Sequence, residues 1–192
     1  MTTVNAALQD AITDLNAIGA QWALIGGVAV SFRAEPRFTK DVDFAVAVAG
    51  EPEADQVVYA LRSRGYSPVL LLEEHQKGRL STARLARMGS EVIVDLMFAG
   101  CGIEPEVVAG AGRITVLPGV TAPVASRGHL IAMKVLAGRN RDLTDLESLI
   151  PAASPADLDV ARRALQLIRD RGFHHGQDVV GNLERYVASL GR

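Results

Sequence analysis

Two carboxylates with the spacing of a cation site stand early in the chain. Asp41 and Asp43 alternate with apolar residues at the start of the segment Asp41 to Val48, which predicts a β-strand. Residues two apart in a strand share a face, so both carboxylates would project together. Hard oxygen ligands of this kind suit Mg²⁺ or Mn²⁺. Alone the pair is weak evidence for a cation site, since aspartates near strand starts are often solvated or bonded to nearby backbone.

A glycine pair, Gly26-Gly27, precedes the aspartates and follows a short apolar run, Gln21 to Ile25, that predicts a buried strand. Glycine permits positive φ and lets a ligand come close to the main chain. If Val28 to Arg33 is helical, its free N–H groups favour an anion such as phosphate. The stretch therefore predicts a site with phosphate at one end and a divalent cation at the other.

Two later residues would complete such a site. Asp95 lies within an apolar strand predicted at Glu91 to Phe98, where a carboxylate needs compensating charge or hydrogen bonds. Lys134 lies on an apolar helix, where its ammonium either binds an anion such as pyrophosphate or extends to solvent. On a helical projection, Lys134, Arg141 and Asp145 fall near one face.

The elements that must position these residues predict a mixed α/β (α+β) protein. We expect a sheet flanked by helices in residues 1–125 and a helical C-terminal region in residues 126–192 that completes this site. Gly89-Ser90 predicts a tight turn between two strands. Residues 100–112 are rich in glycine and predict a loop. The predicted helices are Val4 to Ile18, Val28 to Arg33, Glu53 to Arg64, Ser126 to Ala137, Asp142 to Ile150, Ser154 to Arg171 and Gln177 to Leu190. The predicted strands are Gln21 to Ile25, Asp41 to Val48, Tyr66 to Leu72, Arg79 to Met88, Glu91 to Phe98, Arg113 to Leu117 and Val120 to Val124.

Composition is that of an ordinary globular protein. The 192 residues are 48% apolar and 22% charged, with a net charge of −2, so the chain is not a polycation. A single cysteine, Cys101, excludes an internal disulfide and a cysteine zinc site. No signal peptide and no run long enough to cross a membrane are recognised. These features predict a soluble cytoplasmic protein without a membrane partner.

Basic residues cluster near the proposed site and could steer a nucleic acid backbone into it. Aromatic residues make up only 5% of the chain, which argues against a stacking platform for single strands. His174-His175 lack a third metal ligand nearby and are interpreted as surface residues. The basic residues form two sets, Arg33, Arg37 and Lys40, and then Lys77, Arg79, Arg84 and Arg87.

These motifs together resemble the polymerase β type nucleotidyltransferases, and within them the AbiEii and MenT group of bacterial toxins. The resemblance covers roughly residues 20 to 150. It rests on Gly26-Gly27, on Thr39-Lys40-Asp41-Val42-Asp43, on Asp95 in its apolar strand, and on the segment Lys134 to Leu146.

The resemblance implies a role for each matching residue. The glycine turn would hold the triphosphate of an NTP substrate, and the carboxylates of Asp41, Asp43 and Asp95 would bind metal, with Asp95 also helping to activate the attacking hydroxyl. Lys134 would hold the departing pyrophosphate. Asp142 and Asp145 would support the nucleotide site, or would instead form ordinary ion pairs with Arg139 and Arg141. Asp41, Asp43, Asp95 and Lys134 are thus the candidate catalytic residues.

Thr39 has two interpretations. In some toxin systems of this kind a hydroxyl at this position is thought to be modified by the antitoxin, and a phosphate there would block nucleotide entry. Alternatively, the Thr39 hydroxyl bonds to local backbone.

The function implied is metal-dependent transfer of a nucleotide from an NTP to an acceptor hydroxyl. By resemblance the acceptor is the 3′ end of tRNA, and a cognate antitoxin protein is a partner. Two alternatives stay open at this point. One is transfer to a small molecule or to a protein side chain, and the other is a nucleotide-binding module without catalysis.

Overall fold

The computed structural model describes residues 3–74 and 78–190. A seven-stranded mixed sheet in the order β3-β4-β5-β2-β1-β7-β6 forms its centre. Helices pack around this sheet, so the predicted mixed α/β class is confirmed. The strands are β1 Gln21–Ile25, β2 Asp41–Ala47, β3 Tyr66–Glu74, β4 Arg79–Arg87, β5 Ile93–Met97, β6 Gly112–Leu117 and β7 Val120–Val124. The helices are α1 Val4–Ala17, α2 Gly26–Arg33, α3 Glu51–Arg62, α4 Glu104–Ala109, α5 Arg127–Ala137, α6 Asn140–Leu149, α7 Pro155–Asp170 and α8 Val179–Ser189.

The three central strands, β1, β2 and β5, place the predicted site residues on neighbouring chains of the sheet. β2 pairs antiparallel with β1 and parallel with β5. In this register Asp43 lies opposite both Ile25 on β1 and Asp95 on β5. The glycine turn that follows Ile25 is therefore next to the carboxylate strand, although residues 26 and 41 are separated by a helix and a loop.

The core is one continuous apolar cluster that includes residues from the sheet and from the C-terminal helices. Trp22 and Phe44, on paired strands, meet edge to face with ring centroids 5.3 Å apart. Ser126 caps α5, and Ser154 with Asp157 forms a capping box at the start of α7. The division at residue 125 stays a prediction.

The glycine-rich segment 100–112 is not wholly a loop, and this prediction was wrong. It contains α4, Glu104–Ala109, with Pro105 in the first turn and acidic residues beside it. Proline and acids at a helix start are favourable because the first N–H groups lack intrahelical partners. The surrounding glycines concealed this short helix in the sequence.

None of the helices in the described residues is both long and apolar enough to cross a membrane.

Candidate active site

A cleft of about 320 Å³ lies between the carboxylate strand β2, the start of α2 and the C-terminal helices α5 and α6. It brings together residues that are more than a hundred positions apart in the sequence. Of the predicted site residues, those that line the cleft are Gly26, Gly27, Thr39, Asp41, Asp43, Lys134 and Asp142.

The glycine turn supports close packing at one wall of this cleft. Gly26 opens α2 with φ of 64°, in the left-handed region that favours glycine. A Cβ atom at Gly26 would collide with the Asp43 carboxylate, and one at Gly27 would lie 2.6 Å from Nη2 of Arg37. The free N–H groups of the first turn of α2 are thus held next to the carboxylate pair. The N–H groups could therefore bind an anion whose cation is bound by the carboxylates.

Asp41 and Asp43 form the acidic wall of the cleft. Among the described contacts neither carboxylate has an ion pair. Burial first, and then the charges of Asp41 and Asp95, raise the pKa of Asp43 to about 7, partly offset by Lys134 and Arg141. Such uncompensated oxygen donors fit a hard divalent cation, which would replace the missing positive charge.

Asp95 lies beside this pair but does not line the cleft. Its carboxylate accepts two hydrogen bonds from Arg84 on β4, at 2.9 Å from Nε and 2.7 Å from Nη2. The charge compensation that the sequence required is therefore supplied by a neighbouring strand. In the parts of the chain that the structure describes, no three His, Cys, Asp or Glu side chains are grouped as a metal site. The metal role of Asp95 stays a prediction.

The opposite wall is an ion network of three cationic side chains and two carboxylates, centred on Lys134. Its ammonium lies 2.8 Å from Oδ1 of Asp142 and 2.7 Å from Oδ2 of Asp145. Asp142 also accepts a hydrogen bond of 2.6 Å from Nε of Arg139, and Asp145 lies 2.7 Å from Nε of Arg37. Burial would raise the pKa of Asp142, but the hydrogen bonds from Arg139 and Lys134 outweigh it and lower that pKa.

This network corrects two interpretations. Lys134 does not extend to solvent, because its side chain is only 9% exposed. Lys134 and Asp145 do not share one helical face, since α5 ends at Gly138 and α6 is a separate helix that folds back. The predicted Arg139–Asp142 pair forms, whereas the described contacts give Arg141 no ion pair.

Thr39 is bonded locally. Its hydroxyl donates to Oδ1 of Asp41 at 2.9 Å and lies 3.3 Å from the Asp41 carbonyl oxygen. The hydroxyl thus holds one of the two carboxylates that the cation would need. Its modification stays a prediction.

Most members of the predicted basic surface are bound by other groups of the protein, and their role in steering a nucleic acid stays a prediction. Only Lys40 and Arg141 are exposed cations at the cleft without an ion pair among the described contacts. Lys77 lies outside the described residues. The other members are bound: Arg33 to the carbonyls of Val124 and Ala125, Arg37 to Asp145, Arg79 to Glu74, Arg84 to Asp95, and Arg87 to Asp10.

His175 is exposed and His174 half-buried, and neither belongs to a group of metal-binding residues in the described chain.

The sequence analysis did not predict the ion pairs of two arginines. Arg37 binds Asp145 and Arg84 binds Asp95, although both arginines were predicted to contact a nucleic acid. The Arg37–Asp145 pair spans 108 positions, so no local spacing reveals it. The Arg84–Asp95 pair could have been found from the hairpin, because a turn at Gly89-Ser90 places these residues opposite one another.

Solved structures share this fold. The chain is similar to an antigenic nucleotidyltransferase-like protein from Paracoccidioides brasiliensis, with 20% sequence identity, a TM-score of 0.53, and coverage of 93% of this chain and 91% of that one. It is also similar to a putative nucleotidyltransferase from Helicobacter pylori, at 13% identity and a TM-score of 0.46, covering 98% and 94% of the two chains. A third is the lincomycin-bound lincosamide antibiotic adenylyltransferase LnuA, at 12% identity and a TM-score of 0.48, covering 87% and 98%.

The family is shown by the sequence rather than by these structures, of which the first, at 20% identity, bears on the fold alone. No curated protein matches the sequence. Residues 10–186, which include every predicted site residue, match the family described as the AbiEii nucleotidyl transferase toxin of type IV toxin–antitoxin systems. The cleft described above, with the first turn of α2 beside carboxylates that have no ion pair among the described contacts, is compatible with that activity. The chain belongs to the AbiEii nucleotidyltransferase toxin family and is a nucleotidyltransferase.

Proposed function

We propose that this protein transfers a nucleotide from an NTP to the 3′ end of tRNA in a reaction that depends on Mg²⁺ or Mn²⁺. The observation that carries the proposal is the unpaired carboxylate pair, Asp41 and Asp43, beside the first turn of α2. Two carboxylates without a cation and backbone donors for phosphate are complementary to a metal–triphosphate complex.

Asp41 and Asp43 would hold the cation, and the first turn of α2 would bind the triphosphate. When bound there, a divalent ion would neutralise phosphate charge and polarise the oxygens of the reacting phosphoryl group. The acceptor oxygen then bonds to the α-phosphorus while the bond from that phosphorus to the pyrophosphate oxygen breaks. The acceptor proton passes to a carboxylate, for which Asp95 is the candidate, or to water.

Lys134 has a different role here from direct binding of pyrophosphate. Its ammonium is bound by both Asp142 and Asp145, at 2.8 and 2.7 Å, so two of its three N–H donors are already engaged. The exposed cations Lys40 and Arg141 are the better candidates for contacts to the departing pyrophosphate. Lys134, Asp142 and Asp145 would then fix the helices that carry Arg139 and Arg141.

The partners follow from the family. The type IV toxin–antitoxin assignment implies an antitoxin, and nucleotidyl transfer implies an NTP. We propose tRNA as acceptor and the cytoplasm as compartment, where both substrates occur. Few unpaired cations remain near the cleft, so the acceptor would be held by a limited number of phosphate contacts.

The test is to incubate the purified protein with Mg²⁺, total tRNA and each of the four NTPs labelled at the α-phosphate. We expect label at the tRNA 3′ end with at least one NTP, and none after addition of EDTA or with tRNA whose terminal ribose has been oxidised by periodate.

The Asp41→Asn variant is the control, because it keeps the shape of the side chain and removes its charge. If the wild-type protein leaves tRNA unlabelled under all conditions, the tRNA acceptor is wrong. If label appears equally with Asp41→Asn, the proposed cation site is wrong.

A further inference from the structure

The sheet face that carries Asp43 continues to the edge of the sheet, where the pairing of β3 with β4 is irregular between Pro68 and Leu70. Across four neighbouring strands, Asp43, Asp95, Arg84 and Leu70 lie opposite one another in register. Paired residues in a sheet project from the same face, so these side chains form one row. The row begins at the proposed cation site and ends on β3, the edge strand.

A second cavity, of about 180 Å³, lies at the outer end of this row. It is lined by Leu70, Leu72, Thr82 and Arg84. Leu72 is paired with Thr82, so the four residues occupy two adjacent rows of the same face. The leucines are 45% and 47% exposed, which is unusual for large apolar side chains on a strand.

The lining of this cavity is amphipathic. Two leucines supply apolar surface, Thr82 supplies a hydroxyl, and Arg84 is 42% exposed. Nε and Nη2 of Arg84 donate to Asp95, and the described contacts give Nη1 no partner. The volume lies below the roughly 300 Å³ at which pockets hold whole small ligands. One flat, partly polar ring with an attached phosphate group has the matching size and chemistry.

The position of the cavity relative to the reaction is also informative. Adjacent strands are about 4.8 Å apart, so the cavity lies on the order of 10–14 Å from Asp43. In-line transfer brings the attacking hydroxyl from the side opposite the leaving pyrophosphate. If the triphosphate binds at α2, beside β1, the acceptor approaches over β5 and β4, the side where this cavity lies.

We propose that the cavity formed by Leu70, Leu72, Thr82 and Arg84 is an acceptor subsite that binds the base of the nucleotide preceding the one with the reacting hydroxyl. The inference rests on the proposed transfer to an RNA 3′ end and specifies how that end is held. The leucines pack on the faces of the base, and Nη1 of Arg84 donates to the adjoining phosphate. A base held there aligns the terminal ribose with Asp43 and Asp95.

The edge strand itself provides a matched control. Leu71 lies between Leu70 and Leu72, is 49% exposed and is paired with Ala83, so its side chain projects from the opposite face. A Leu70→Glu variant places a negative charge where the acceptor phosphate would lie, and Leu71→Glu places the same charge on the other face. Both side chains are exposed, so both variants should keep the wild-type melting temperature.

The experiment measures steady-state transfer to tRNA while acceptor and NTP are varied separately. We expect Leu70→Glu to raise the KM for tRNA by about tenfold, with the KM for NTP changed by less than about twofold. Leu71→Glu should change both constants by less than about twofold. With a single nucleoside as acceptor, which has no preceding base, Leu70→Glu and the wild-type protein should react equally.

Three outcomes would overturn the subsite. If tRNA is labelled and Leu70→Glu leaves the KM for tRNA unchanged, only the subsite is wrong. If Leu70→Glu and Leu71→Glu raise that KM equally, the effect comes from the strand edge or from net charge and not from this face. If the wild-type protein transfers nothing to RNA while still releasing pyrophosphate from NTP, the proposed acceptor and this subsite are wrong together.

Discussion

Two pairs of aspartates, on opposite walls of one cleft, have opposite electrostatic surroundings. Asp142 and Asp145 are buried and are bound by three cationic side chains. Asp41 and Asp43 face them without an ion pair among the described contacts, and the pKa of Asp43 rises to about 7. The first pair has its positive charge built into the protein. In our proposal the second pair takes its positive charge from a bound cation, so we call the first the supporting wall and the second the binding wall.

The largest expected effect is the loss of activity when a carboxylate of the binding wall is replaced. Asp43→Asn removes one of the two oxygen donors that would hold the cation, so nucleotidyl transfer should fall by at least about a thousandfold. Label incorporation into the acceptor, measured at saturating Mg²⁺ and NTP, checks this. Residual activity within tenfold of wild type would mean that Asp43 is not a metal ligand.

A change in the supporting wall should instead affect stability. Lys134→Met removes the ammonium that two buried carboxylates share, and we expect a loss of about 3 kcal/mol in the free energy of unfolding. Urea unfolding followed by circular dichroism measures it. The control is Lys40→Met, which removes an exposed cation from the same cleft and should cost less than about 0.5 kcal/mol. Equal midpoints for the two variants would show that Lys134 does not stabilise the fold.

The ionisation of Asp43 should make the stability of the metal-free protein depend on pH. Because its native pKa is raised from an ordinary value of 3.8 to about 7, the native protein binds a proton that the unfolded chain has lost. Asp43 therefore destabilises the metal-free protein progressively as pH rises from about 4 to about 7, and fully above that range.

It follows that Asp43→Asn should stabilise the protein at pH 8 in EDTA by on the order of 2 kcal/mol, and by almost nothing below about pH 4. Asp142→Asn should instead destabilise the protein at pH 8, since the pKa of Asp142 is lowered by its cationic partners. Thermal unfolding across this pH range measures both. A wild-type protein as stable as Asp43→Asn at pH 8 would contradict the raised pKa.

The smallest effect concerns the hydroxyl that holds Asp41. Thr39→Ala removes a 2.9 Å hydrogen bond to this carboxylate, which is worth about 1 kcal/mol. The Mg²⁺ concentration for half-maximal activity should therefore rise by about fivefold, while Thr39→Ser should resemble wild type. Titration of activity with Mg²⁺ distinguishes the two variants. If Thr39→Ala needs the same Mg²⁺ concentration as the wild-type protein, the hydroxyl does not contribute to the cation site.

Local patterns in the sequence predicted the elements of this fold well. Alternation identified β2, and capping residues identified the start of α7, since both depend on neighbours along the chain. The shared face of Asp41 and Asp43 follows from the same local geometry.

The partners of those residues depend on strand order and could not be predicted in the same way. Within its apolar strand Asp95 needs compensating charge, but the sequence does not say which group supplies it, and the strand beside it carries Arg84. Lys134 was expected to bind an anion, and the anions it binds are the two aspartates of the next helix. Periodicity specifies the face from which a side chain projects, whereas its partner is set by packing between distant segments.

The separation between Arg37 and Asp145 has a consequence for synthesis. The carboxylate strand and the glycine turn leave the ribosome early, because chains emerge from the N-terminus. The wall that carries Lys134, Arg141 and Asp145 emerges about a hundred residues later. A nascent chain thus has only half of the cleft until this second wall has emerged. If the protein is toxic through this site, it cannot act before that point of its synthesis.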